Sequence, residues 1–277
     1  MIGSEVGASR RGAAGNAGEP VLEMTGLSFP SDRPFGVDLH DLSLTVRAGE
    51  IVGVAGVAGN GQAEFLEILN GEALCLTADA IRIGGVGVGW TGPRQRRLLG
   101  MGFVPEERLG QGAVPEMSLS ENALLSSYQQ QGMVSSGMIS LGKAVSFARD
   151  IITTYSVRAR GDMAEARSLS GGNLQKFIMG REIMQDPKLL IVAAPTWGVD
   201  AGAATAIRQA MIDLRGRGAA ILVISQDLDE LFEITDRIAV IHHGRLSDAR
   251  PTAETTIEEI GLLMGGADAT TEAADVA

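Results

Sequence analysis

The chain has 277 residues, 45% hydrophobic and 21% charged, enough for one large domain or two small ones with a real core. Lys and Arg number 23 against 34 Asp and Glu, and the formal net charge of −11 disfavours non-specific nucleic-acid binding. One cysteine, Cys75, excludes an internal disulfide, and no Cys/His cluster of the zinc-binding kind is present, so a reducing compartment is the default. The apolar runs are strand-sized and the N-terminus lacks a signal-peptide core, so we expect neither a membrane span nor export.

Both ends of the chain have the composition of tails. Residues 1–20 and 266–277 are rich in Gly, Ala, Ser and charge and contain few large apolar side chains. Such segments bury too little apolar surface to fold alone, so both are predicted to be disordered tails or linkers. Residues 21–265 are predicted to form a single domain.

Short aliphatic runs alternate with helical patterns near the start and near the end of this domain. The predicted strands are 21–29, 42–46, 51–55, 189–193, 219–224 and 238–241, and the predicted helices between them are 62–69, 203–215 and 228–234. The alternation predicts an α/β fold with a mostly parallel sheet, and its last part is a βαβαβ unit.

The middle of the chain has a helical period with few strand signals. Ser118 is a plausible helix cap, and the helical pattern continues over 143–156 and 169–184. We interpret residues 107–180 as a helical insert within an α/β core of residues 21–106 and 181–265. The alternative is that these helices only cover one face of the sheet. The charged residues of the neighbouring helices are expected on solvated faces; they are Arg94, Arg96, Arg97, Arg181 and Glu182.

A glycine-rich segment, GVAGNGQA at residues 56–63, joins a predicted strand to a predicted helix. This arrangement suits phosphate binding, because loop N–H groups and the helix dipole both favour an anion. Gly56 and Gly61 match the pattern GxxxxGK[ST], but Gln62 replaces the Lys and Ala63 replaces the Mg²⁺-binding hydroxyl. On these residues alone, nucleotide binding and a plain tight turn both remain open.

The string LSGGNLQK at 169–176, followed by KLLIVAAPTWGVD at 188–200, resembles the signature, Walker B strand and D-loop of the ATP-binding cassette (ABC) family. The resemblance covers about residues 21–250. With GNGQ in the first loop, VPEER at 104–108 and DLDELFEITDRIAVIHHGR at 227–245, the chain is most similar to the second, degenerate cassette of importers for simple sugars or nucleosides. Those proteins usually carry two cassettes on one chain, and one is present here.

The resemblance implies a P-loop NTPase core of the RecA-like type, an antiparallel β region near the N-terminus and an inserted α-helical signature subdomain. It implies ATP, held mainly at the interface with a partner cassette, and Mg²⁺ only through the partner's site. The implied partners are an active ABC cassette in a hetero- or pseudo-dimer, transmembrane permease subunits near residues 106–121 and, indirectly, a substrate-binding protein. The implied location is peripheral, at the cytoplasmic face of the membrane.

The resemblance also implies roles for individual residues. Ser170, Gly171, Gly172 and Asn173 match the signature, which binds the γ-phosphate held by the other cassette, and Asp200 matches the D-loop aspartate. Weak nucleotide contacts are implied for the phosphate loop, at Gly56, Gly59, Asn60, Gly61, Gln62 and Ala63. Either Phe29 or Phe35 matches the adenine-stacking aromatic. The alternatives are a plain helix N-cap for Ser170 and a surface turn for Asp200.

The chain departs from the family pattern at six positions. They are Gln62 for the Lys, Ala63 for the Mg²⁺-binding hydroxyl, Ala193 and Ala194 for the Walker B aspartate and the following base, Glu106 for the Q-loop Gln and Gln226 for the switch His. Phosphoryl transfer depends on positioning and charge neutralisation, so this site is predicted to be catalytically silent, with no catalytic residue and no metal ligand of its own.

Three functional hypotheses remain. The first is a degenerate cassette that supplies LSGGN to a partner's ATP site, so that hydrolysis occurs only in complex with an active cassette. The second is an independently active ABC-type ATPase with a repurposed site. The third is the separated second half of a two-cassette protein, with residues 1–20 as the former linker, and its biochemistry is that of the first.

Overall fold

The computed structural model describes residues 17–266, and the remainder of both predicted tails lies outside the described residues. The strands are β1 (Pro20–Phe29), β2 (Leu39–Arg47), β3 (Ile51–Ala55), β4 (Ile81–Ile83), β5 (Val86–Gly87), β6 (Met101–Val104), β7 (Val134–Ser135), β8 (Met138–Ile139), β9 (Leu189–Ala193), β10 (Ala220–Ser225), β11 (Arg237–His242), β12 (Arg245–Leu246) and β13 (Arg250–Pro251). The α-helices are α1 (Gln62–Asn70), α2 (Pro93–Leu98), α3 (Leu119–Ser127), α4 (Leu141–Thr154), α5 (Gly171–Ile183), α6 (Ala201–Gly216), α7 (Leu228–Ile234) and α8 (Ile257–Met264). Single 3₁₀ turns lie at Ala78–Ala80, Ala166–Ser168 and Thr252–Glu254.

The central sheet has the strand order β12-β11-β3-β10-β9-β6, with β13 paired to β11. The pairs that join β11, β3, β10, β9 and β6 are parallel. Every residue of β3, β9 and β10 is buried, as expected for parallel strands covered on both faces. The last part of the chain forms the predicted β9-α6-β10-α7-β11 unit, so the prediction of a mostly parallel α/β fold is confirmed.

A second, antiparallel sheet has the order β2-β1-β4-β5 and forms the antiparallel region predicted near the N-terminus. Side chains alternate between the two faces of the central sheet, as the period of a strand requires. On β10, Leu222 and Ile224 join the hydrophobic cluster shared with the antiparallel sheet and α1, whereas Ile221 and Val223 join a cluster shared with α5, α6, α7 and α8. The central sheet is therefore the middle layer of the molecule.

A third cluster lies in the helical middle of the chain. It contains residues of α3 and α4 together with Phe177 of α5. Leu174 and Ile178, on the same α5 helix, instead pack in the cluster against the central sheet. Helix α5 thus connects the two regions, and the division at residues 107 and 180 stays an interpretation.

Several charged residues that were expected on solvated faces are buried. Arg96 is 0% exposed, Glu182 is 0% exposed and Arg181 is 5% exposed. Arg97 and Arg181 contact the two carboxylate oxygens of Glu182 at 2.8 and 3.0 Å. The solvated-face interpretation was wrong for these residues, because a short charge run carries no information on what packs above it.

Candidate functional site

The phosphate loop lies where β3 ends and α1 begins, so the chain order of strand, glycine turn and helix is realised. Gly61 occupies the N-cap position of α1 with φ 104°, a conformation that favours glycine. At Gly56 the backbone approaches its neighbours closely, and a Cβ there would lie 2.5 Å from Gln62 Nε2. The glycines are therefore required by the loop geometry itself, with or without a ligand.

The side chain of Gln62 folds back into this loop. Its Nε2 donates to the Val57 carbonyl at 2.8 Å, and its Oε1 accepts from the Asn60 N–H at 3.1 Å. Asn60 is itself buried, and its Oδ1 and carbonyl oxygen accept from the N–H groups of His243 and Gly244, both at 3.0 Å. The Asn60 N–H is thus already used within the loop, and Asn60 contacts the β11–β12 connection.

All six positions that depart from the family pattern line one cavity at the end of the parallel strands. These residues are Gln62, Ala63, Glu106, Ala193, Ala194 and Gln226, and Gly56, Ala58, Gly59, Leu66, Ile224 and Ser225 complete the lining. Glu106 is the one ionisable side chain in that lining. The positions quoted from distant parts of the sequence therefore converge in space, as the resemblance implied.

The cavity does not fit a Mg²⁺·ATP complex bound through side chains. Phosphates are normally offset by a Lys and a metal held by a hydroxyl and a carboxylate, and here the corresponding side chains are Gln62, Ala63 and Ala193. Glu106 adds negative charge at the same place. Among residues 17–266 no group of three or more His, Cys, Asp or Glu could hold a metal ion.

The signature residues lie away from that cavity, at the start of α5. Ser170 is at the N-cap position, but its side chain makes no capping hydrogen bond. Instead, Ser170 Oγ accepts from Asn173 Nδ2 at 2.9 Å, and Asn173 Oδ1 accepts from the Arg158 N–H at 2.8 Å. Ser170 and Gly171 are exposed. The plain-cap alternative for Ser170 therefore lacks its expected contact, and the hydroxyl hydrogen remains available at the surface.

Asp200 is close to the signature within the same chain. A Cβ on Gly172 would lie 3.7 Å from Asp200 Oδ2, so the D-loop and the signature share one surface. Asp200 also caps α6, since its Oδ1 accepts from the Ala203 N–H at 2.9 Å. This hydrogen bond to Ala203 lowers the pKa of Asp200 below its usual value. The structural role of a turn residue is therefore present, whatever second role the residue has.

The two aromatic candidates are in different environments. Phe29, in β1, packs against the hydrophobic cluster that the central sheet shares with the antiparallel sheet and α1. Phe35 is fully exposed, and it lines a pocket together with Gly59, Gly61 and Gln62 of the phosphate loop. Phe35 is therefore the aromatic that lies beside the loop.

Two residues beside the signature were not singled out from the sequence. Arg108, the last letter of VPEER, reaches Gly171, and its Nε donates to Gln175 Oε1 at 3.2 Å. Gln175 lies in the string LSGGNLQK, yet it is 1% exposed and holds the Pro195 carbonyl at 3.0 Å. Both residues lie in strings that carry the family resemblance, but nothing in the sequence indicates that their side chains contact each other.

Comparison with known proteins identifies the family. A family model described as ABC transporter matches residues 39–196, more than half of the chain. The chain belongs to the ABC transporter family. The predicted fold class and the family resemblance are both confirmed. Membership in this family implies that ATP is the nucleotide the fold binds.

Curated relatives match nearly the whole chain. The guanosine import ATP-binding protein NupO of Bacillus subtilis is 40% identical over 267 residues, 96% of this chain and 52% of its own length. The glucose import ATP-binding protein TsgD13 of Haloferax volcanii is 37% identical, over 92% of this chain and 47% of its own. The chain thus spans about half the length of these relatives.

Solved structures support the fold. A dimeric ATP-binding cassette in a post-hydrolysis state, bound to ADP and Pi, aligns with a TM-score of 0.70 at 17% identity, over 83% of this chain and 98% of its own.

Among the helices of residues 17–266, none has the length and hydropathy needed to cross a membrane.

Proposed function

We propose that this chain is an ATP-binding cassette of an importer for nucleosides or simple sugars, whose own phosphate site is degenerate and whose signature completes the ATP site of a partner cassette. The importer assignment draws on the printed functions of the relatives, which include guanosine and glucose import. In this proposal the chain lies at the cytoplasmic side of the membrane and contacts permease subunits near residues 106–121. A substrate-binding protein delivers the transported molecule to those subunits.

One observation carries the division of labour between the two sites. The cavity formed by the six departing positions offers a phosphate no cationic side chain, and its Glu106 repels one. The signature surface, in contrast, retains a Ser170 hydroxyl that accepts from Asn173 but whose own hydrogen is free to donate, together with exposed glycine backbone and the positive end of α5, a helix of 13 residues. Mg²⁺, Lys and the catalytic base come from the partner cassette in this arrangement.

The test is the ATPase rate of the chain alone, of an active partner cassette alone and of the two together. The chain alone is expected to be silent, and the mixture to exceed the sum of its parts. Ser170→Arg places a bulky cation at the interface and is expected to abolish the gain. Ser168→Arg, at an exposed position two residues earlier, is the matched control and is expected to keep it.

The independently active ATPase remains the competing function. It requires a cation near the loop, but none of the three lysines, Lys143, Lys176 and Lys188, lines the cavity. Arg33 lines a neighbouring pocket with Gly59 and Gln62, but its guanidinium is paired with the carboxylate of Glu67. Turnover by the chain alone that Ser170→Arg leaves unchanged would establish this second function and exclude the first.

A further inference from the structure

A guanidinium group lies directly beside the signature glycines. A Cβ on Gly171 would lie 2.6 Å from Arg108 Nη1, and one on Gly198 would lie 3.3 Å from Arg108 Nη2. Arg108 therefore packs against the first turn of α5 and the D-loop at the same time. A methyl group at Gly171 would displace the guanidinium, so the glycine at this position is needed for the approach.

A buried side chain holds Arg108 in this position. Gln175 Oε1 accepts from Arg108 Nε at 3.2 Å, while Gln175 Nε2 donates to the Pro195 carbonyl at 3.0 Å. Gln175 is 1% exposed, so its amide is fixed between these two partners. The hydrogen bond to Gln175 uses Arg108 Nε and leaves the two Nη groups of the guanidinium for other partners.

This guanidinium has no counter-charge within residues 17–266. Arg97, Arg181 and Arg237 each contact a carboxylate, at 2.8, 3.0 and 2.6 Å. In the same part of the chain, Arg108 makes its one hydrogen bond through Nε, and its Nη atoms have no acceptor. Partial burial lowers the pKa of Arg108, which an adjacent carboxylate would oppose. Arginine nevertheless stays protonated in proteins, so the charge is present and uncompensated.

A planar guanidinium with two free Nη groups matches the oxygens of a phosphate, and such charge-assisted pairs are among the strongest polar contacts. We propose that Arg108 binds the terminal phosphate of the nucleotide held by the partner cassette, alongside Ser170 and the N–H groups of α5. The inference rests on the proposed trans-acting signature. It adds a cation to a set that otherwise consists of one hydroxyl and backbone dipoles, as an arginine supplied in trans does in other phosphoryl-transfer enzymes.

The experiment uses the complex of this chain with its active partner cassette. Arg108→Ala is expected to lower kcat for ATP by about 30-fold or more, the range for losing one charge-assisted contact to a developing charge, and to change KM less. Arg108→Lys is expected to recover part of the loss, because it restores charge without the fork. Arg160→Ala removes the same charge from an exposed site and is the matched control.

A second readout does not depend on turnover. With a partner cassette whose catalytic base has been removed, ATP-dependent association is measured by light scattering, and Arg108→Gln is expected to weaken it about tenfold or more. Thermal unfolding of each variant chain identifies loss of fold. If Arg108→Gln does not fold, the comparison is made with Arg108→Met, which keeps the aliphatic stem and removes the charge.

The outcomes separate this inference from the proposed function. If Ser170→Arg abolishes the gain while Arg108→Ala in the kinetic readout and Arg108→Gln in the association readout both behave as Arg160→Ala does, the trans-acting signature stands and the role of Arg108 is refuted. If neither Ser170→Arg nor Arg108→Ala has an effect, the proposed function fails and this inference fails with it.

Discussion

Gln62 shows how one side chain changes what a glycine loop offers. Its amide accepts from the Asn60 N–H and donates to the Val57 carbonyl, so the loop satisfies itself internally. A Lys at this position would present a cation to a phosphate, whereas a Gln presents a neutral amide. The neighbouring Ala63 removes the hydroxyl that would hold Mg²⁺. Together these two residues account for most of the misfit between the cavity and Mg²⁺·ATP.

Restoring both groups is expected to restore nucleotide binding. The double substitution Gln62→Lys with Ala63→Ser adds a cation and a metal-binding hydroxyl, and ATP affinity with Mg²⁺ is expected to rise about tenfold or more, the value of one charge-assisted hydrogen bond. Isothermal titration calorimetry on the isolated chain measures it. Gln130→Lys, on an exposed residue, makes the same charge change remotely and is expected to have no effect. Equal affinity in wild type and double variant would contradict this account of the loop.

Helix α1, which follows the phosphate loop, ends beside the buried guanidinium of Arg96. Arg96 of α2 donates to the carbonyls of Ile68 and Leu69 in the last turn of α1, the latter at 2.7 Å. It also donates to the carbonyls of Val88 and Thr91. Burial lowers the pKa of Arg96 to about 10, so the guanidinium stays charged at neutral pH. The negative end of the α1 dipole offsets part of the burial penalty.

Removing this cation is expected to destabilise the whole chain. Arg96→Met keeps volume but removes the donor of the Leu69 and Thr91 carbonyls, and the free energy of unfolding is expected to fall by about 3 kcal/mol. The Ile68 and Val88 carbonyls keep a second, backbone donor. Urea unfolding followed by circular dichroism measures the change. Arg94→Met, on an exposed position of the same helix, is expected to alter stability little. If both substitutions lowered the free energy of unfolding by the same small amount, the hydrogen bonds of Arg96 would not be a source of stability.

Glu182 connects distant parts of the molecule. Burial by itself raises the pKa of Glu182, but the adjacent Arg97 and Arg181 outweigh burial and hold it below the usual value. Arg97 comes from α2, and Arg181 also donates to the Asn122 carbonyl in α3 at 3.3 Å. The network therefore ties the helix that carries the signature to both the sheet region and the helical region.

The lowered pKa fixes the direction of a pH effect on stability. A carboxyl with a depressed folded pKa contributes stability that is full above its unfolded pKa, about 4.3, and is lost as pH falls towards the folded pKa. Glu182→Gln is expected to reduce the free energy of unfolding by about 3 kcal/mol at pH 7, since it leaves buried arginine charge unbalanced. The gap to wild type should narrow below about pH 4.5.

Urea titrations between about pH 2.5 and pH 7.5 measure this gap, because the contribution is lost only below the unfolded pKa. Glu165→Gln removes an exposed partner of Arg167 and is the matched control, with little effect at any pH. A gap for Glu182→Gln that stays constant across the range would mean that its charge is not the source of the stability.

The sequence by itself determined the sheet and the family. The aliphatic run 189–193 predicts a buried strand from composition alone, and the strings at 169–176 and 188–200 carry the resemblance to the family that the family model confirms. The sequence also predicts the six departures from the family pattern, since each position is defined by its neighbours along the chain, and their assignment stays a prediction. The β7–β8 hairpin and the short strands β4, β5, β12 and β13 were not predicted, because strands of two or three residues are too short to show a period.

The tertiary structure alone decided which side chains meet. Glu106, Ala193 and Gln226 come from the ends of different strands, and the order of parallel strands brings them to one cavity. The burial of Arg96 and Glu182, the folding of Gln62 into its own loop and the contact of Arg108 with Gly171 depend on packing between segments far apart in the chain. Local patterns predict the type of element, whereas burial and charge pairing are properties of what packs against it.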